Sequence, residues 1–307
     1  MNLPVELNGE GNDVESENES DVTFDANRLS ELTSDWSGAD QGLLNIYVSE
    51  AVNFFPVIST DVDILNTGSV VKEIGCGIGL LSLLVANKGF RVISFEPESA
   101  GFSLMKRFQS AVRSAWSGGD QSVEWLDRKY SPPLSSADQA DFIFAVNVLE
   151  HVPQWRELVA EIIESEKPGA KLRLIFPNYI YPYEPHFQIP TLFNKRLTRL
   201  VMSKKLTNST FGNTPITDPL LFWEDLSWPT GSQVAKYCRE MGYECTFSHK
   251  AFSSYLVRFQ EDESFRERKG KLFTMGASII LPILTLLTSQ MPYKYLPVID
   301  ITVTRSS

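Results

Sequence analysis

Val70-Val71-Lys72-Glu73-Ile74-Gly75-Cys76-Gly77-Ile78-Gly79-Leu80 is the stretch that decides the fold. The β-branched run from Val70 to Ile74 is the pattern of a parallel strand buried on both faces. Three glycines at alternate positions then impose a tight turn. Leu80-Leu81-Ser82-Leu83-Leu84-Val85-Ala86-Asn87-Lys88 follows as a helix, and Gly89 is placed to cap its C-terminus. Strand, glycine turn and helix N-terminus together bring bare backbone N–H groups close to a ligand and favour an anionic group there.

The spacing narrows the ligand. A dinucleotide fingerprint, Gly-x-Gly-x-x-Gly, needs glycine at position 80, where this chain has Leu80. The third glycine comes one residue early, and a carboxylate, Glu73, stands two residues before the first. That acid repels a pyrophosphate but accepts hydrogen bonds from an ammonium group. With these residues the chain resembles the class I S-adenosylmethionine-dependent methyltransferases, whose first motif reads acid-x-Gly-x-Gly-x-Gly. The resemblance implies S-adenosylmethionine as cofactor, with Glu73, Gly75, Cys76, Gly77 and Gly79 around its amino-acid end.

Working outward, Arg91 to Phe95 is a second strand ending at Glu96, 21 residues after Gly75. A carboxylate at the end of a second strand can accept both vicinal hydroxyls of a ribose. A helix over 99–116 shows Leu104, Phe108, Val112 and Ala115 on one face, and Gly118-Gly119 ends it. Val123 to Leu126 is a third strand. Asp127 follows it, where the resemblance implies an acceptor for the adenine amino group; an ordinary loop aspartate is the alternative. Asp141 to Val146 is the fourth strand and runs into Asn147-Val148-Leu149-Glu150-His151-Val152-Pro153. This segment is similar to one in the ubiquinone-biosynthesis O-methyltransferases, where Glu-x-x-Glu-His holds a divalent cation. Asn147 replaces the first acid, and a neutral amide is a weaker ligand for a hard cation, so no metal is expected. Asn147, Glu150 and His151 are then expected only to line the methionine end of the cofactor.

Trp155 to Lys167 is a helix and Lys171 to Phe176 a fifth strand. This βα rhythm predicts an α/β, doubly wound, seven-stranded sheet with ligands at the carboxyl ends of the strands. Before it, Leu43, Leu44, Tyr47, Val48, Ala51 and Phe55 recur at helical spacing up to Pro56, with Tyr47 either a core aromatic or within reach of the cofactor. After it, residues 177–229 are rich in proline and aromatics and read as a substrate cap. His186, with Glu184 two residues before it, is either the base that removes a proton from an acceptor hydroxyl or a structural histidine. Lys195, Arg196, Arg199, Lys204 and Lys205 meet an anionic group or form a solvated helix face. A helix from Thr230 to Met241, a sixth strand at Tyr243–Ser248 and a seventh at Pro297–Val303 complete the sheet; the resemblance implies that the last two pair antiparallel.

Composition bounds the remainder. The chain has 307 residues, 43% hydrophobic, with net charge −10. An acidic surface suits a nucleic acid poorly. Three cysteines without a disulfide or metal spacing suit a reducing cytosol. Residues 1–35 read as a disordered acidic tail and 36–307 as the methyltransferase domain. Within it, 264–293 is an apolar helical insert in which Arg266, Arg268, Lys269 and Lys271 precede a run without charged residues from Leu272; 266–291 meets a membrane interface or packs against protein. The function expected from the resemblance is methyl transfer to a hydroxyl of a small or lipid-linked acceptor. A sugar comes first, because the Pro/Tyr-rich cap resembles that of methyltransferases of cell-surface glycan synthesis. The alternatives are a quinone-like lipid acceptor, or a non-catalytic cofactor-binding protein.

Overall fold

The computed structural model describes residues 24–97, 104–117, 122–211, 214–216, 218–262, 265–266 and 287–305. Regular structure is already present before Trp36, where the sequence places the start of the domain. Asp25 caps helix α1 (Ala26–Leu32) by accepting from the N–H groups of Asn27 and Arg28, each at 2.9 Å. Leu29 is buried and Phe24 bridges Trp116, so residues 24–35 fold onto the domain rather than continuing an acidic tail. One buried leucine is too short a signal for periodicity to register.

Helix α2 (Gly38–Val62), capped by Ser37, runs through Pro56 instead of stopping there. Val57, Ile58 and Val62 beyond the proline are buried, and burying each returns roughly 1.5–3 kcal/mol against the ~3 kcal/mol that an interior proline costs. The βα rhythm then follows: β1 (Val70–Ile74), α3 (Leu80–Ala86), β2 (Arg91–Phe95), α4 (Met105–Ser114), β3 (Val123–Leu126), β4 (Phe142–Val146), α5 (Trp155–Ser165) and β5 (Lys171–Pro177). The cap holds a small hairpin, β6 (Tyr183–Glu184) and β7 (Ile189–Pro190), then α6 (Lys195–Thr207), a second ribbon, β8 (Thr210–Phe211) and β9 (Thr214–Pro215), and α7 (Pro219–Asp225). α8 (Gly231–Glu240), β10 (Tyr243–Phe247), α9 (Lys250–Glu261) and β11 (Val298–Arg305) close the chain.

The sheet order is β10-β11-β5-β4-β1-β2-β3. β1 to β5 are parallel; β11 runs antiparallel to β10, as expected, and also to β5. One apolar layer packs α2, α3, α4 and α9 on one face; α5 and α8 cover the other. α9 was not anticipated. It buries Ala251, Phe252, Leu256 and Phe259 at helical spacing in a segment that follows the sixth strand without turn residues.

Two buried ion clusters fix the layers. Lys72 of β1 donates to Glu166 (2.6 Å), which also accepts from the Tyr130 hydroxyl and the Ala140 N–H, each at 2.6 Å. Arg173 of β5 makes a two-pronged contact with Asp300 of β11 (2.9 and 2.7 Å) and pairs with Asp61 of α2. Such pairs fix register, because removing one partner leaves a buried charge. Apart from 265–266 and 287–293, the expected apolar insert lies outside the described residues, as do Gly118 and Gly119 and the first residues of the helix expected from 99. Among the described residues, no helix is long and apolar enough to cross a membrane.

Candidate active site

The strand order reverses between β1 and β4, and in open α/β sheets the ligand crevice lies at such a switch point, outside the carboxyl ends of the strands. The glycine turn forms its floor. Gly75, Gly77 and Gly79 all have left-handed backbone, at φ of 69°, 51° and 77°. The N–H groups of Gly75 and Cys76 donate to the Phe95 carbonyl (2.7 and 3.0 Å), tying the turn to the end of β2. A Cβ on Gly75 would fall 2.5 Å from a Val148 methyl, and one on Gly79 2.6 Å from the Trp125 ring. These two glycines are therefore demanded by the protein itself. Gly77 differs: the nearest atom to its Cβ position is the Met105 sulfur, 3.8 Å away, so space is open above it.

Acids surround that space. Glu96, half-buried at the end of β2, accepts from the Gly77 N–H at 2.7 Å. Burial raises its pKa, the Gly77 hydrogen bond lowers it in part, and Asp127 adds to the rise. Glu73 is buried and accepts from the Ser82 hydroxyl, which itself lies 2.5 Å from the Ser94 hydroxyl. Burial, opposed by the Ser82 hydrogen bond and helped by Glu96, pushes Glu73 up to about 8. Asp127 sits at the end of β3 but is exposed and paired with Lys106 at 3.1 Å. Cys76 has no side-chain part in the turn: its thiol is buried, 3.6 Å from the Gln109 amide, and burial holds its pKa well above the usual thiol value. Its N–H, like that of Gly75, is taken by the Phe95 carbonyl.

Asn147 takes left-handed backbone (φ 54°) and donates its amide to Glu50. Glu50 and Tyr47 descend from α2, and burial, Glu50 and Glu96 together raise the Tyr47 pKa. Tyr47 also packs on Phe108 and Phe211. Sequence reading missed Glu50. Its signal was weak, a carboxylate three residues after Tyr47 on a helix whose other side is core.

The post-β4 turn brings up the second group. Glu150 is fully buried, and neither carboxylate oxygen has a hydrogen-bond partner among the described residues. Burial raises its pKa to about 7, though the nearby His186 charge opposes this. His151 is held near 3, by burial first and by His186 second. The cap delivers His186 onto this turn, its ring 4.9 Å from that of His151 and 5.6 Å from that of Phe222. Its Nδ1 lies 2.7 Å from Glu184, a buried carboxylate that also accepts from the Phe187 N–H (2.7 Å). An ionised Glu184 keeps the proton on Nδ1 and leaves Nε2 as the free acceptor. Burial pulls the His186 pKa down, but Glu184 and Glu150 outweigh it, so it ends above the ordinary value. The β6–β7 hairpin, turned at Gln188 (φ 52°), sets this placement, and Ser227 anchors the end of the cap by donating to the Glu150 carbonyl at 2.7 Å. Glu150, His151 and His186 offer ligand-type atoms that all lie within 4.8 Å of one another.

A family model described as a methyltransferase domain matches residues 48–246. The chain belongs to this methyltransferase family. It is an S-adenosylmethionine-dependent enzyme of class I, with the sheet order described above. It is 30% identical over 256 residues, 81% of its length and 83% of the relative's, to an uncharacterized protein of Mycobacterium tuberculosis. It is 26% identical over 148 residues, 48% of its length and 52% of the relative's, to the mitochondrial ubiquinone biosynthesis O-methyltransferase of Schizosaccharomyces pombe. Among solved structures, phosphoethanolamine N-methyltransferase 2 of Haemonchus contortus aligns with TM-score 0.49 and 12% identity, over 91% of this chain and 60% of that one. The crevice fits the methyl donor in its chemistry. The open space at Gly77 admits a close ligand, and an ammonium beside Glu73 supplies the counter-charge that this buried acid lacks.

Proposed function

We propose that the methyltransferase acts on a hydroxyl oxygen of a small or lipid-linked acceptor, a sugar being the first candidate. The observation that carries this reading is the Glu184–His186 pair beside the post-β4 turn. When bound, S-adenosylmethionine supplies an electrophilic methyl group. Glu73 and the Gly75–Gly79 turn hold its amino-acid end, Glu96 its ribose, Asp127 its adenine edge and Asn147 the methionine side. His186 Nε2 accepts the acceptor's hydroxyl proton, and Glu184 orients the ring and stabilises its charged form. The unpartnered Glu150 oxygens accept hydrogen bonds from neighbouring hydroxyls, and Phe211 and Phe222 give the ring faces that a pyranose packs on. Binding such hydroxyls relieves the cost of a buried carboxylate without a partner.

A second reading has its own support. Glu150, His151 and His186 form a donor set of the type that binds divalent cations, and such an ion would polarise the acceptor oxygen. Transfer of a labelled methyl group to panels of glycosides and quinols, with and without chelator, separates these readings. Methyl ethers on sugar hydroxyls, formed undiminished in chelator, are expected. Methylation at carbon or nitrogen overturns the hydroxyl reading, and activity lost in chelator and restored by a divalent cation replaces the histidine base by the ion.

A further inference from the structure

Helix α6 in the cap carries an apolar face that stands exposed among the described residues. Thr198 and Leu206 point inward and are buried, with Met202 packed on the cap's own small core. On the opposite side Leu197, Leu200 and Val201 are 47%, 76% and 57% exposed, and Phe193 just before the helix is 70% exposed. A solvated helix has polar residues in that stripe. Here the only charge within it is Lys204, one turn beyond Leu200.

Charge selects the occupant. Residues 193–208 hold five Lys or Arg and no acid, in a chain of net charge −10. Lys195 donates to the carbonyls of Glu224 and Leu226 (2.7 and 2.6 Å), and Arg199 pairs with Glu224, so these two cations face α7. Asp225, at the end of α7, also acts electrostatically on Lys195. Arg196 and Lys205 flank the apolar stripe and Lys204 lies within it; all three are exposed and form no ion pair among the described residues. An isologous contact between two copies would set these cations against themselves. A surface that is apolar within and anionic at its rim satisfies both features at once.

We propose that α6 docks the cap on an anionic lipid surface, with Phe193, Leu197, Leu200 and Val201 entering the headgroup–acyl boundary. The inference concerns docking alone and stands whether or not the acceptor is a sugar. Co-sedimentation of the full chain with vesicles of phosphatidylglycerol and phosphatidylcholine, against phosphatidylcholine alone, tests it without acceptor or cofactor. Salt-sensitive binding to the anionic vesicles is expected. Arg196→Gln/Lys204→Gln/Lys205→Gln should weaken it on the order of 10²-fold, at about 1 kcal/mol per charge near the surface. Leu197→Ser/Leu200→Ser should weaken it more than ~10-fold. Both variants should keep wild-type cofactor affinity, which shows that they fold. Replacing Arg266, Arg268, Lys269 and Lys271 by Gln should leave binding through α6 in place. A wild-type protein that stays in the supernatant with every vesicle overturns the proposal, as do α6 variants that pellet normally. A dimer in light scattering that these same substitutions dissolve, without lipid binding, would assign the face to a second copy instead.

Discussion

The two halves of the crevice are built on opposite terms. On the β1–β2 side each acid has a hydrogen-bond donor: Glu96 has the Gly77 N–H and Glu73 the Ser82 hydroxyl, all within about two dozen residues of one another in sequence. On the post-β4 side Glu150 is wholly buried with no hydrogen-bond donor among the described residues, and the histidine beside it arrives from a cap inserted after β5. In the first half each acid has its donor within the protein and lacks only the counter-charge that an ammonium brings, which suits a constant ligand. The second holds unsatisfied groups, which suits an acceptor that completes them. Strain of this kind is retained where it serves chemistry.

The sharpest test of that contrast is His186→Ala. It should lower kcat by roughly 10²–10⁴ if the imidazole takes the acceptor's proton, with cofactor affinity nearly unchanged by calorimetry. Because His186 must be neutral to act, kcat should rise with pH through an apparent pKa above 6.5, and Glu184→Gln should move that midpoint down. A flat pH profile in the wild type would return His186 to a packing role in the cap.

Glu96→Ala should weaken binding of S-adenosylmethionine by about 2–4 kcal/mol, through loss of charge-assisted hydrogen bonds at roughly 1.5–3 each. Calorimetry showing unchanged affinity removes the ribose assignment and with it the claim that this half is built for a constant ligand.

Glu150→Gln turns the comparison into a stability measurement. Its folded pKa of about 7 lies above the ordinary 4.5, so its contribution is fully present below 4.5 and is lost as pH rises to about 7. At pH 8 the amide variant should therefore be more stable than wild type, by about 1–3 kcal/mol in urea titrations, and less active. At pH 4 the two should coincide. Equal stability at both pH values would mean that Glu150 has a partner in solution.

The smallest effect concerns Glu73. Its pKa of about 8 should fall when an ammonium binds beside it, releasing a proton. Cofactor affinity should then decline below pH 8, by at most ~10-fold per pH unit. Glu73→Gln should bind more weakly and without that slope. Proton release can be read from calorimetry in buffers of different ionisation enthalpy, and its absence would detach Glu73 from the ammonium.

Sequence alone determined the sheet and its glycine turn. Strand, turn and helix are local patterns, and a glycine at φ 77° with a tryptophan ring 2.6 Å from its Cβ position leaves its mark at one residue. The positions of Glu73, Glu96 and Asp127 at strand ends followed from the same periodicity. The short α1 left too little pattern to be seen, and Pro56 hid the last turn of α2, because tertiary burial overrode local propensity there. Only the tertiary structure decided that Glu50 reaches Asn147, that the Cys76 thiol is buried against the Gln109 amide, and that Glu150, His151 and His186 meet. The physical reason is separation along the chain. Residues some 35 to 100 positions apart are brought together by layer packing and a cap hairpin, and neither is encoded in any one stretch of sequence.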